Sequence, residues 1–481
     1  MLTITTNTIG GVLSLSSVYS FINEKNVPGL IFTPLDSSLL GDEQFIVFSE
    51  FKKKMSKNGN PLANIDHFCT ITVTDKIYAN KLRIGRIDKI IGPVTDQSAK
   101  YTIIKYYMPF VEVKQHNIKY DTEQMQLVKD FIDNLSVDNS FTTDAISIDP
   151  VGCKDIDDAY SYIDENNFVI HIADPNKISH IMPLDQYYDM YTSVYFGNYT
   201  YHLLPIELSE DMLSLIAGKV RPVVSVHFTI DKGTNIVKIS SIVRRNICIS
   251  KNLSYDEADR MEMIQPMMQL TKRIAKNMSV TDTHIMIEVL MLLTNNLIGE
   301  YLVNKNIKPL FRVFTEQMTN AEYSFEYNTH SKLNLKNYTH FTSPLRRVAD
   351  YYTHQLVLET LNEKCMSINL SDKIGKINDT IKLLKIISNK HKHIYISEQI
   401  VSSEIYECKL LDLLPIYNNE EKLIGHLYKW YICRFDLSFY VKVLSDDIHK
   451  GLKCNEIYDL HLYKLTVGKK HLDKIYFEIV H

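Results

Sequence analysis

The stretch Ile146-Ser147-Ile148-Asp149-Pro150-Val151-Gly152-Cys153-Lys154-Asp155-Ile156-Asp157-Asp158-Ala159 places four aspartates within ten positions, with apolar residues on both flanks. Carboxylates this close cannot all stay ionised in a partly desolvated site unless cations hold them, and oxygen-only ligands favour a hard divalent ion such as Mg2+. The bland reading of an acidic run is a solvated surface loop. Here, however, the run is bracketed by strand-like segments, Ala145 to Ile148 and Ala159 to Ile163, and an Asp164-Glu165-Asn166-Asn167 turn leads into Phe168-Val169-Ile170-His171-Ile172-Ala173-Asp174. An acidic loop embedded between core strands is placed for chemistry. On an extended chain Asp155 and Asp157 share a face, Asp158 joins them only where the chain bends, and Asp149 closes the set from the preceding strand. Such a set suits phosphoryl chemistry with two metal ions, one generating hydroxide and one stabilising the leaving oxygen.

A second segment points the same way. Thr342-Ser343-Pro344 reads as a helix start, with a hydroxyl N-cap, proline at the first helical position and an apolar stripe of Leu345, Val348, Ala349, Tyr352 and Leu356. Arg346 and Arg347 then fall in the first turn, where each cation opposes the helix dipole by about 0.3 to 1 kcal/mol and an anion is favoured. A phosphate resolves that conflict. Pairing of the arginines with Asp350 or with core carboxylates resolves it equally well.

Ile-Asp-Pro, four residues, then Asp-Ile-Asp-Asp-Ala resembles the catalytic motif of the ribonuclease II (RNB) exoribonucleases, a family that includes exosome-type nucleases. Further resemblances follow in the family's order. They are Val169 to Asp174, Ser193-Val194-Tyr195, Leu203 to Ser209, Cys248 to Ala258, Ile287 to Asn295 and Tyr338 to Arg347. The resemblance implies an α+β multidomain fold. Cold-shock-like OB-type β-barrels, one or two, occupy residues 1–118, a mixed α/β RNB catalytic domain residues 119–398, and a C-terminal OB-like barrel residues 399–481.

It also implies an activity, Mg2+-dependent hydrolysis of single-stranded RNA from the 3′ end to nucleoside 5′-monophosphates, with Mn2+ as a substitute ion. Asp149 and Asp158 would ligate the principal ion, Asp157 would organise the second ion or the attacking water, and Asp155 would orient the cluster. Arg346 matches the family's catalytic arginine on the scissile phosphate, with Ser343 and Arg347 as supporting RNA contacts. Tyr195 matches a tyrosine that stacks on a terminal base, and Tyr255 and Glu288 match positions lining the RNA 3′ end. Taken alone, a tyrosine in a chain with 30 of them is more often core than clamp. One departure is a segment of about 25 residues between Val313 and Tyr338, where the family carries a much longer helical stretch.

Composition sets the remaining bounds. A chain of 481 residues has room for three or four domains. Its formal net charge of −4 does not announce a nucleic-acid binder. Lys52, Lys53, Lys54 and Lys57, and the run from Lys373 to Lys392, are basic patches that either face solvent or funnel RNA. Seven scattered cysteines without a CxxC pair, among them Cys365, read as reduced thiols of an intracellular protein. No signal peptide and no apolar 18-residue span are expected, the stretch Ile285 to Ile298 being interrupted by Glu288, Asn295 and Asn296. The expected partner is single-stranded RNA, with no membrane, and the chain is expected to be a monomer. Two other readings stay open: a catalytically silent RNA-binding regulator on the same scaffold, and a DNA exonuclease.

Overall fold

Alternating apolar positions separated by turn residues dominate the N-terminal hundred residues and the C-terminal eighty, and both regions fold into β structure. The computed structural model describes the chain apart from residues 1, 5–7, 16–22, 24–26, 37–44, 79–81, 108–110, 114–120, 139–142, 186, 188–190, 197–198, 276–277, 316–317, 319, 328, 364–367, 419–421, 436, 445–451, 467–471 and 481. Two compact units form, one from Met1–Lys114, Tyr195–Thr200 and Leu383–His481, the other from Gln115–Val194 and Tyr201–Lys382.

In the first unit, β1 (Thr8–Leu13), β2 (Gly29–Pro34), β3 (Phe45–Phe48), β4 (His67–Tyr78) and β5 (Leu82–Pro93) close a barrel in the order β1-β2-β3-β5-β4. Every neighbouring pair is antiparallel except β3 with β5. This is a five-stranded barrel of OB type. Side-chain alternation turns Ile9, Leu13, Leu30, Phe32, Phe45, Val47 and Ile71 inward. Among the described residues of this region there is one closed barrel, joined by a two-stranded pairing of Leu2–Ile4 with Val111–Val113. The expected Leu39-Leu40-Gly41-Asp42 piece lies outside the described residues. At the C-terminus, Ile405–Tyr417, Leu423–Ile432, Leu437–Val443, Ile457–Thr466 and Asp473–Ile479 form a sheet in the order third, second, first, fourth, fifth. That is the order of the N-terminal barrel opened between its third and fifth strands. Its core is built on Trp430, Tyr406, Leu410, Leu460 and Leu462.

The second unit holds another closed barrel with a simpler path. Strands β6 (Ala145–Asp149), β7 (Asp158–Asp164), β8 (Asn167–Ala173), β9 (Val220–Ile230) and β10 (Val237–Ser254) follow one another around the wall, and parallel pairing of β10 with β6 closes it. Val224, Val226, Phe228 and Ile230 alternate with polar residues along β9, whereas the polar run Arg244-Arg245-Asn246 interrupts the apolar alternation of β10, a strand that is 18 residues long. Helix α1 (Thr122–Asp133) precedes the barrel, and α2 (Thr283–Asn304) and α3 (Val348–Thr360) follow it.

By length and composition α2 could cross a membrane, with a mean hydropathy of 1.3 over its best window, which corrects the expectation that no such span exists. Met286, Leu290, Ile298 and Leu302 of this helix are nevertheless fully buried in the same core as the barrel's Ile170, Val226 and Phe228. It is a core helix. Gly299 is required on it, because a Cβ there would stand 1.8 Å from the Asn337 carbonyl oxygen. Cys69, Cys153, Cys248, Cys408, Cys433 and Cys454 carry free thiols, and Cys365 lies outside the described residues.

Candidate active site

The acidic loop is a consequence of how the second barrel closes. β6 and β7 are joined by the single residue pair Ile146 and Tyr160, so the ladder stops and residues 150–157 leave the wall. The loop turns at Gly152, whose φ of +80° suits glycine and strains other residues. Buried Ser214 then pins it: the Ile156 N–H donates to Ser214 Oγ at 3.0 Å, and that hydroxyl donates to the Lys154 carbonyl at 2.6 Å. The Leu215 N–H closes on the Ile156 carbonyl at 3.0 Å, and the Ala173 N–H on the Asp157 carbonyl at 2.8 Å. Asp157 is thereby driven inward to 3% exposure, while Asp149, Asp155 and Asp158 are half-buried.

Facing this loop is a strap, residues 343–347. Asp157 Oδ1 accepts the Leu345 N–H and Oδ2 accepts the Arg346 Nε–H, each at 2.9 Å. Arg346 Nη2 donates to Ser343 Oγ at 2.8 Å, and the arginine side chain remains 39% exposed. Arg347 pairs with Asp350, which also takes the Ser343 N–H at 2.8 Å. The expected helix start at Thr342-Ser343-Pro344 is therefore corrected: α3 begins at Val348, after both arginines. The reason is competition for the backbone donors. Asp350, Asp157 and the Tyr191 carbonyl take the N–H groups of Ser343, Leu345 and Val348, which holds the strap as a turn.

Burial raises the carboxyl groups. Asp149 is pushed up to about 6 by burial with help from Asp155, against the Ser147 hydrogen bond and the Arg346 charge. Asp157 rises to about 7, because burial outweighs the stabilisation by Arg346 and the Leu345 N–H. Asp158 is held well above the ordinary carboxylate range by burial and then by the charges of Asp149 and Asp157. Such a cluster carries more negative charge than Arg346 alone offsets, and buried Asp149 Oδ2 has no hydrogen-bond partner. Oxygen donors short of positive charge fit a hard divalent cation. Among the described residues no three potential ligands stand in a finished coordination geometry, so the donor chemistry is present without a preassembled cage.

The remaining candidates divide. In the parallel pairing of β10 with β6, Ser254 lies opposite Asp149, and the capping box of Ser254 with Glu257 starts a short helix there. Tyr255, its first residue, has its hydroxyl pushed up by burial and by the carboxylates of Asp149 and Asp158, so it belongs to the cluster. Glu288 is exposed on α2. Tyr195 is 39% exposed and lies in the other compact unit. Ser214 carries no sequence signal of its own, since nothing distinguishes a lone serine that will cap a loop 60 residues earlier.

Residues 140–266 and 313–363 match the RNB domain. The match takes in both the acidic loop and the strap. The chain is similar to ribonuclease R of Chlamydia pneumoniae, 23% identical over 383 residues that cover 58% of this chain and 55% of that one. The chain thus spans about half the length of that curated relative. Its fold is similar to Mycoplasma genitalium RNase R in complex with ribose methylated single-stranded RNA, with a TM-score of 0.62 at 16% identity, covering 98% of this chain and 90% of that chain. It is also similar to yeast Ssd1, a pseudonuclease, with a TM-score of 0.60 at 13% identity over 91% of this chain and 65% of that one. The expected class, OB-type β structure around a mixed α/β RNB domain, agrees with these folds. The unmatched residues 267–312 contain the whole of α2.

Proposed function

We propose that this protein is an RNB-type 3′–5′ exoribonuclease that hydrolyses single-stranded RNA to nucleoside 5′-monophosphates with Mg2+, for which Mn2+ can substitute. The observation that carries this reading is an exposed guanidinium, Arg346, fixed by buried Asp157 beside carboxylates that lack charge balance. Asp149 and Asp158, with Asp155, would hold the ion. When bound, it supplies an activated water and a counter-charge for the leaving oxygen. Arg346 offers its exposed edge to the non-bridging phosphate oxygens, where charge grows during hydrolysis. Asp157 has both carboxylate oxygens engaged, which favours a role in orienting Arg346 over the expected role at a second ion. Tyr255 lines the 3′ end of the RNA next to the carboxylates, Arg347 supports the strap, and Tyr195 and Glu288 would add contacts along the strand.

In the same reading residues 119–398 are catalytic, residues 1–118 and 399–481 guide RNA, and the protein is a soluble intracellular monomer that uses no membrane. Binding of RNA without turnover is the second reading, favoured by the similarity to the pseudonuclease Ssd1. One incubation separates them. With Mg2+, a 5′-labelled RNA bearing a single-stranded 3′ tail should shorten from that end to a limit of a few nucleotides, while EDTA, a circular RNA and the matching DNA oligomer prevent cutting. Internal fragments appearing first would exclude an exonuclease, cutting of the DNA at equal rate would favour a DNA exonuclease, and binding without any ladder would favour the silent regulator.

A further inference from the structure

Two carboxylates hold the strap, and only one of them belongs to the acidic loop. The other is Asp350, at the third position of α3 and 0% exposed. One of its oxygens takes the Ser343 N–H at 2.8 Å and Arg347 Nη2 at 2.9 Å, and the other stands 2.8 Å from Arg347 Nε. Ser343 in turn accepts Arg346 Nη2 on its hydroxyl at 2.8 Å. The strap is tied down a second time by the Ser193 N–H on the Arg346 carbonyl at 2.8 Å. We propose that Asp350 is a positioning residue for Arg346, resting on the reading of the site as a phosphodiester hydrolase.

Its action has two parts. Through Ser343 it fixes the Nη2 edge of the guanidinium, while Asp157 fixes Nε, so the plane of Arg346 is set from two sides. It also holds Arg347. Two adjacent cations face two buried carboxylates, and an Arg347 released from Asp350 would compete with Arg346 for Asp157. Asp350 stands in the first turn of α3, where the helix dipole favours its pairing with Arg347.

The test combines an activity-independent signal with a double-mutant cycle. The Arg346 side-chain Nε–H resonance, assigned by its loss in Arg346→Lys, should exchange slowly with solvent in the unmodified protein and at least about tenfold faster in Asp350→Ala, since its geometry is no longer fixed. On single-stranded RNA, Asp350→Ala should lower kcat by about 100-fold, the effect of a misplacement near 1 Å, with KM little changed. Asp350→Asn, which keeps an acceptor for the Ser343 N–H, should lower it less and serves as the variant if Asp350→Ala fails to fold. Neither should lower kcat further in an Arg346→Ala background, because a residue that acts through Arg346 has nothing left to position. Additive losses, or an unaltered Arg346 Nε–H exchange rate, would overturn the proposal. Were the unmodified protein to cut no RNA, the nuclease reading would fail by itself, and the exchange measurement would still decide the role of Asp350.

Discussion

The two closed barrels treat a buried carboxylate in opposite ways. In the first, Asp66 is met at once by the Leu15 N–H at 2.8 Å and the Ser14 hydroxyl at 3.4 Å, and the barrel's core cluster is apolar. In the second, Asp149, Asp157 and Asp158 crowd where the β6–β7 ladder has shrunk to one residue pair, and the charges of Asp149 and Asp157 raise the affinity of Asp158 for a proton as that of Asp155 raises theirs. The wall itself is polar inside as well, with buried His171 between the Ser161 and Ser225 hydroxyls at 3.0 and 2.8 Å. A carboxylate that the backbone satisfies serves the fold. Several that it leaves short of positive charge store free energy for a ligand, and that is affordable only where neighbouring strands stop competing for the same positions.

The sharpest way to break this contrast is to neutralise one carboxylate from each barrel. Asp157→Asn should lower RNA hydrolysis by about 10³-fold, since it removes the buried charge that holds Arg346 Nε, while single-stranded RNA affinity stays nearly unchanged. Asp66→Asn should leave turnover unchanged. Measuring turnover and affinity separately for both variants checks the pair, and equal losses of turnover would mean that the second barrel's carboxylates are structural too. A smaller effect should follow from loosening the loop without touching its charges. Ser214→Ala removes the acceptor of the Ile156 N–H and the donor to the Lys154 carbonyl, which should cost about 2 kcal/mol in a denaturant titration and about tenfold in kcat. No change in either quantity would show that the loop is held by its other contacts.

The legibility of the two barrels differed for a related reason. In the first, strand limits such as Gly29–Pro34 and Leu82–Pro93 stand within a residue of the apolar-rich runs that mark them, because turn residues bound each run. In the second, the acidic loop and its flanking strands were readable from Asp149 to Asp158, yet β10 was not, since Arg244 and Arg245 find long-range partners in Asp174 and His227 that no local pattern displays. The arginine strap was read as a helix start because Ser343 and Pro344 have the local chemistry of one. Its actual shape is fixed by Asp157, almost 190 residues away in the chain. Contacts over that range are a property of the barrel's closure and not of the segment.

The smallest expected effect concerns His171 and sharpens the contrast in wall polarity. Its imidazole lies fully buried, and burial, aided by the Arg245 and His227 charges, lowers it from an ordinary 6.5 to about 3. Between those values the unfolded chain binds a proton at this position and the folded barrel does not, so its share of the stability is complete above pH 6.5 and is lost as the pH falls toward 3. At pH 5.5 the loss should be about 1.4 kcal/mol. The raised carboxyl groups of Asp149, Asp157 and Asp158 act with the opposite sign in the metal-free protein, because there the folded state binds protons more tightly. The difference in unfolding free energy between the unmodified protein and His171→Asn removes that background. It should shrink by about 1.4 kcal/mol from pH 7.5 to 5.5, and a difference independent of pH would mean that the barrel admits a charged His171 between its two serines.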